Sequence, residues 1–100
     1  MKFGNILNEM AAIHEAKNAD YGNSFELSAR LLNQPIVVGL LHRMTDKLAR
    51  ACHLAGGADP QVKDEALRDS LLDLANYSVL AILALDGHKQ GVSQARDGVL

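Results

Sequence analysis

The chain has 100 residues, a formal net charge of −2 and 48% hydrophobic residues. That is one domain's worth of core, too apolar for a disordered chain and too evenly charged for one that wraps a nucleic-acid backbone. A single cysteine, Cys52, excludes an intrachain disulfide and a cysteine metal cage, and fits a reducing compartment.

The opening MKFGNILNEM has no apolar stretch with a cleavage site, so it does not read as a secretory signal. The most apolar run, residues 79–85, is seven residues long, where a spanning helix needs about 20. The expectation is a soluble, cytoplasmic protein without a membrane partner.

Four helices and no strand are predicted. The first covers about residues 3–16, with Phe3, Ile6, Leu7, Met10 and Ile13 at helical spacing. Residues 17–24, KNADYGNS, are rich in turn formers and read as a connecting loop, with Gly22 at a positive φ. Ser24 is the expected N-cap of a short second helix over about 25–32. Pro35 fits the start of a third helix, about 36–54, whose apolar face is Val37, Val38, Leu41, Met44, Leu48, Ala51 and Cys52. Cys52 is therefore expected as a core thiol. Gly56 and Gly57 end that helix where the backbone is expected to turn left-handed. Asp59 and Pro60 continue the loop. The fourth helix runs from about Asp64 to residue 85 or 86, with Asp64 and Glu65 at the positive end of its dipole and Gly87 closing it. Residues 91–100 have no periodic apolar face and read as a tail, loose or ordered by a neighbouring subunit. The architecture expected is all-α: an antiparallel bundle of about four helices, one domain over residues 1–90.

Residues 74–85 are apolar nearly all round the helix. Such a helix is buried on all sides, and a chain this short can hardly surround it. A homo-oligomer, dimer or higher, supplies the missing cover.

The sharpest polar signal is Glu65, Asp69, Asp73 and Asn76, at steps of four, four and three on one helical stripe. Like charges at that spacing repel, so something must compensate. A hard divalent cation, Mg²⁺ or Mn²⁺, is one answer; an interhelix salt-bridge row or a solvated edge is the other. The third helix has a matching stripe of Arg43, Asp46, Lys47 and Arg50. Its cations suit phosphates, and equally suit pairing with those acids. In the predicted loop, Lys17, Asp20 and Tyr21 form a compact polar set, with Tyr21 able to stack on a base and Lys17 to meet a phosphate; the alternative is a plain connecting turn. His42 and His53 read as ordinary histidines. Glu9 and Glu15, six apart, form no metal motif. No Gly-rich phosphate loop, serine elbow or zinc spacing is present.

Three blocks in order, KNADYGNSF (17–25), RMTDKLAR (43–50) and DEALRDSLLDLANY (64–77), resemble the nucleotide-modification-associated domain family, which is common in bacteriophages. The resemblance spans about residues 17–84, with Phe25 where the family's tryptophan is expected. More distantly, the chain is similar to the MazG and dimeric dUTPase group of all-α nucleotide pyrophosphatases. These hold Mg²⁺ with acids on two neighbouring helices, cleave between the α and β phosphates, and form dimers or tetramers. That likeness implies Asp69 and Asp73 as catalytic, with Asp46 and Glu65 completing the Mg²⁺ ligands. In an enzyme of that kind Arg43, Lys47, Arg50 and Lys17 are expected on phosphates, Tyr21 or Tyr77 on the base, Asp20 in the same nucleotide-binding set, and Asn76 orienting a ligand or the sugar. Arg43 and Lys47 stand where the group has Glu-Glu-x-x-Glu. Three readings follow: a Mg²⁺-dependent nucleoside triphosphate pyrophosphohydrolase of phage nucleotide metabolism; a non-hydrolytic phage protein that sequesters a nucleotide immune signal; and a structural or protein-binding oligomer.

Overall fold

The computed structural model describes the backbone of residues 2–21, 24–57 and 60–89, and the side chains of residues 2–17, 25–57 and 64–87. Among these the regular elements are all helices: α1 (Phe3–Tyr21), α2 (Ser24–Leu32), α3 (Ile36–Ala55) and α4 (Pro60–Lys89). The all-α class and the four helices are as the sequence predicts. Gly22 and the 91–100 tail lie outside the described residues.

The helix ends differ from expectation in instructive ways. Lys17 to Tyr21 are helical, so the predicted loop begins five residues late. Ala16 and Ala19 favour helix, and Lys17 is anchored on α4 by an ion pair, which together outweigh the turn propensity of Asn18 and Asp20. Ser24 is the first helical residue of α2 rather than a residue preceding it. Pro60 opens α4 instead of lying in the loop, a position where its missing N–H costs nothing. Gly87 does not close α4, which runs on to Lys89; one helical glycine costs only about 1 kcal/mol, too little to stop a long helix.

The left-handed turn is also elsewhere. Gly56 caps α3 at φ −92°, ψ 2°. At Gly57 a Cβ would lie 3.2 Å from the Leu54 carbonyl oxygen, a tight contact that a side chain meets only if the backbone gives by a few tenths of an ångström. The left-handed residue is Asn33, at φ 55°. It ends α2 in a Schellman motif: the Gln34 N–H donates to the Ala29 carbonyl at 2.9 Å and the Asn33 N–H to the Arg30 carbonyl at 3.2 Å. Asn tolerates this conformation better than most side chains. Pro35 follows as the N-cap of α3, at φ −60°.

The principal packing is α3 on α4, with α2 on α3 and α1 touching α4. Leu40, Ala51, Leu72 and Ala81 are the buried apolar residues, and Ser70 is buried with its hydroxyl donating to the Ala66 carbonyl at 3.0 Å. On α3 the inward stripe is Leu40 and Ala51, buried, with Met44 and Lys47 half-buried between them, at steps of four, three and four. This corrects the predicted face: Leu41, Leu48 and Cys52 are exposed, so Cys52 is not a core thiol. On α1, Ile6, Met10 and Ile13 are half-buried while Phe3 and Leu7 are exposed.

Polar ties hold α1 to α4. Arg68 grips Glu9 through two hydrogen bonds of 2.7 Å, and the Asn76 amide donates to the Met10 carbonyl at 3.2 Å. In the second half of α4, Ala81 is buried whereas Val79, Ile82, Leu83 and Leu85 are exposed, Leu83 by 57%. The stretch Asp64–Gly87 is long and apolar enough, by length and composition, to cross a membrane.

Candidate functional site

Polar groups converge where α3 meets α4. The Asp73 carboxylate, 17% exposed, takes the Lys17 ammonium at 2.9 Å on one oxygen and the Lys47 ammonium at 3.0 Å on the other. One carboxylate therefore joins three helices. Burial pushes the Asp73 carboxyl up, and the hydrogen bonds and charges of Lys17 and Lys47 more than reverse this, so it stays ionised below its ordinary range. On the exposed face of α4, the Arg68 hydrogen bonds likewise lower Glu9.

One turn from Lys47, Arg43 lies over the Phe25 ring at 5.1 Å from its centroid. Phe25 in turn meets Tyr77 edge-on, centroids 6.1 Å apart at 89°. A cation over an aromatic face is attracted by the ring's quadrupole and keeps its N–H donors for other partners. Among the described residues Arg43 has no ion pair or side-chain hydrogen bond. The stack opens on a cleft of about 390 Å³ between α2 and α3, with Ala29, Leu32 and Ile36 on its apolar side and Ser28, Gln34, His42, Arg43 and Asp46 on its polar side.

The predicted site residues thus divide. Lys47 pairs with Asp73, as the salt-bridge alternative has it, and Lys17, expected on a phosphate, joins the same carboxylate. Arg43 and Asp46 line the cleft, and Tyr77 supports it through Phe25. Asn76 is engaged by Met10. Arg50, Glu65 and Asp69 are exposed. Asp20 and Tyr21 lie in the last turn of α1, their side chains outside the described residues. Among the described residues no three His, Cys, Asp or Glu side chains are grouped to hold a metal ion. Asp46, Glu65, Asp69 and Asp73 are not brought together within the described chain: Asp73 takes two ammonium groups, Asp46 lines the cleft, and Glu65 and Asp69 are exposed.

Sequence reasoning missed Phe25, Gln34, Ser28 and His42 as cleft residues, and Arg68 with Glu9 as a tie. Only the adjacency of His42 to Arg43 hinted at any of them. The others depend on how α2 folds back on α3, or on a contact across 59 positions, which no local spacing encodes.

This is a small helical protein whose polar residues gather along one helix–helix seam and an adjoining cleft. The family model described as "Nucleotide modification associated domain 1" matches residues 17–85, and the chain belongs to that family. No curated protein and no solved structure matches it.

Proposed function

We propose that the chain binds a nucleotide in the cleft between α2 and α3. The observation that carries this reading is Arg43, over the Phe25 ring at 5.1 Å from its centroid, lining a cleft of about 390 Å³. A guanidinium fork suits phosphate, and an apolar slot with a few placed polar groups suits a base and sugar. Membership of a nucleotide-modification-associated family supports the same chemistry. Binding without turnover is the first form of the reading, because the acids needed for metal-assisted hydrolysis are not grouped within the chain. A second form, Mg²⁺-dependent pyrophosphohydrolysis, rests on the exposed Glu65 and Asp69 that continue the Asp73 stripe and are open to a second subunit.

In this reading α3 and α4 run antiparallel, with Lys47 opposite Asp73 and Arg43 near Tyr77, and a second copy covers the exposed apolar face of α4. The test is calorimetric titration with nucleotides, with EDTA and with Mg²⁺, followed by chromatography of the recovered ligand. Binding that survives EDTA with the nucleotide intact supports sequestration. Pyrophosphate release that needs Mg²⁺ supports the hydrolase. Arg43→Ala should abolish binding while costing the unliganded fold only about 0.5–1 kcal/mol, the worth of one exposed cation–π contact. Binding unchanged in that variant refutes the site.

A further inference from the structure

The charges that line the cleft determine how many phosphates it accepts. Arg43 and Asp46 line it together, one positive and one negative. The neighbouring lysines add nothing, since Lys47 and Lys17 both bind Asp73, at 3.0 and 2.9 Å. Among the described residues that line the cleft, one guanidinium and one carboxylate therefore share the wall, with the His42 imidazole beside them.

From this, and resting on the nucleotide reading above, we infer that the cleft is selective for a nucleoside monophosphate over the corresponding triphosphate. One guanidinium fork satisfies one phosphate bidentately. Further phosphates have no second guanidinium or ammonium group on the wall to meet, only the His42 imidazole, and lie near the Asp46 carboxylate, whose like charge repels them. Asp46 instead accepts hydrogen bonds from a sugar hydroxyl or an amino group on the base, and the Gln34 amide both donates and accepts there. Size agrees: about 390 Å³ is near the lower end of the roughly 300–1,000 Å³ of ligand sites, room for a base, a sugar and a short charged tail.

The experiment is calorimetry in EDTA with the common nucleoside 5′-monophosphates and 5′-triphosphates, inorganic phosphate and pyrophosphate, on the wild-type chain and on Asp46→Asn. At least one monophosphate should bind about 10-fold or more tighter than its triphosphate, and Asp46→Asn should shrink that ratio to about 3-fold or less by strengthening the triphosphate. Asp46 is exposed, so the variant folds. A triphosphate that binds the wild type as tightly as its monophosphate overturns the inference, as does a ratio unmoved by Asp46→Asn or pyrophosphate outcompeting every monophosphate. If no nucleotide of any phosphate length binds, the nucleotide reading itself falls, a result distinct from a reversed preference.

Discussion

Replacing Asp73 by Asn tests the seam most directly. The substitution keeps the shape and removes the charge that both lysines share. An exposed pair is worth about 0–1 kcal/mol, whereas breaking a fully buried one costs about 3–5 kcal/mol. Asp73 is only 17% exposed, but Lys17 and Lys47 are 44% and 32% exposed. The Lys17 arm is therefore solvent-screened and contributes about 0.5 kcal/mol, the Lys47 arm about 1–1.5 kcal/mol. A loss of about 2 kcal/mol should lower Tm by roughly 8–15 °C in a chain of this size. The pH dependence follows from the sign of the Asp73 shift. Its folded value lies below its unfolded one, so its stabilisation is complete above the ordinary carboxylate range and disappears as pH falls through the folded value. The wild-type Tm should fall below about pH 4, and that part of the fall should vanish in Asp73→Asn. Thermal unfolding followed by circular dichroism from neutral to acid pH measures both. A Tm change under about 3 °C would refute the argument that this carboxylate ties three helices together.

Three further outcomes are expected. Leu40→Ala, at a residue 2% exposed, should cost about 2–5 kcal/mol in urea unfolding, while Leu41→Ala next to it should cost under about 1 kcal/mol; equal losses would misplace the α3 face. Asn33→Gly should leave stability unchanged or slightly raised, and Asn33→Ala should lower it by about 1 kcal/mol, because of the positive φ; the reverse order would contradict the turn. If a second copy covers α4 as proposed, a double charge substitution there, Ile82→Asp with Leu83→Lys, should give a monomer by light scattering without detergent where the wild type is larger; a wild-type chain already monomeric at tens of micromolar would remove the proposed second copy.

The helix count was readable because apolar residues recur at helical spacing and Pro35 and the glycine pair punctuate them. The core was not, because polar residues sit in its seam. Lys47 occupies an inward-stripe position between Met44 and Ala51, and Ser70 and Asp73 do the same on α4. A pattern search that treats Lys and Asp as surface markers shifts the apolar face by one residue, onto Leu41, Leu48 and Cys52. The same pairing explains why the acidic stripe was only half legible. Repulsion between Asp69 and Asp73 called for a compensating cation, and the compensation is partly met by Lys17 and Lys47 from two other helices. The cleft was hidden for a different reason. Phe25 meets Arg43 only because α2 folds back across a turn set by Asn33.

That turn has a mechanical consequence. Three consecutive residues make the elbow between α2 and α3: Asn33 with its left-handed φ, Gln34 tied back to Ala29, and Pro35 with its ring-locked φ. None of them rotates freely, so the spread of the two walls is fixed before anything enters between them. Under the proposed binding, little energy would go into prising the helices apart. The elbow acts as a splint and not a hinge, and amide exchange at Gln34 should be as slow in the empty protein as in the filled one.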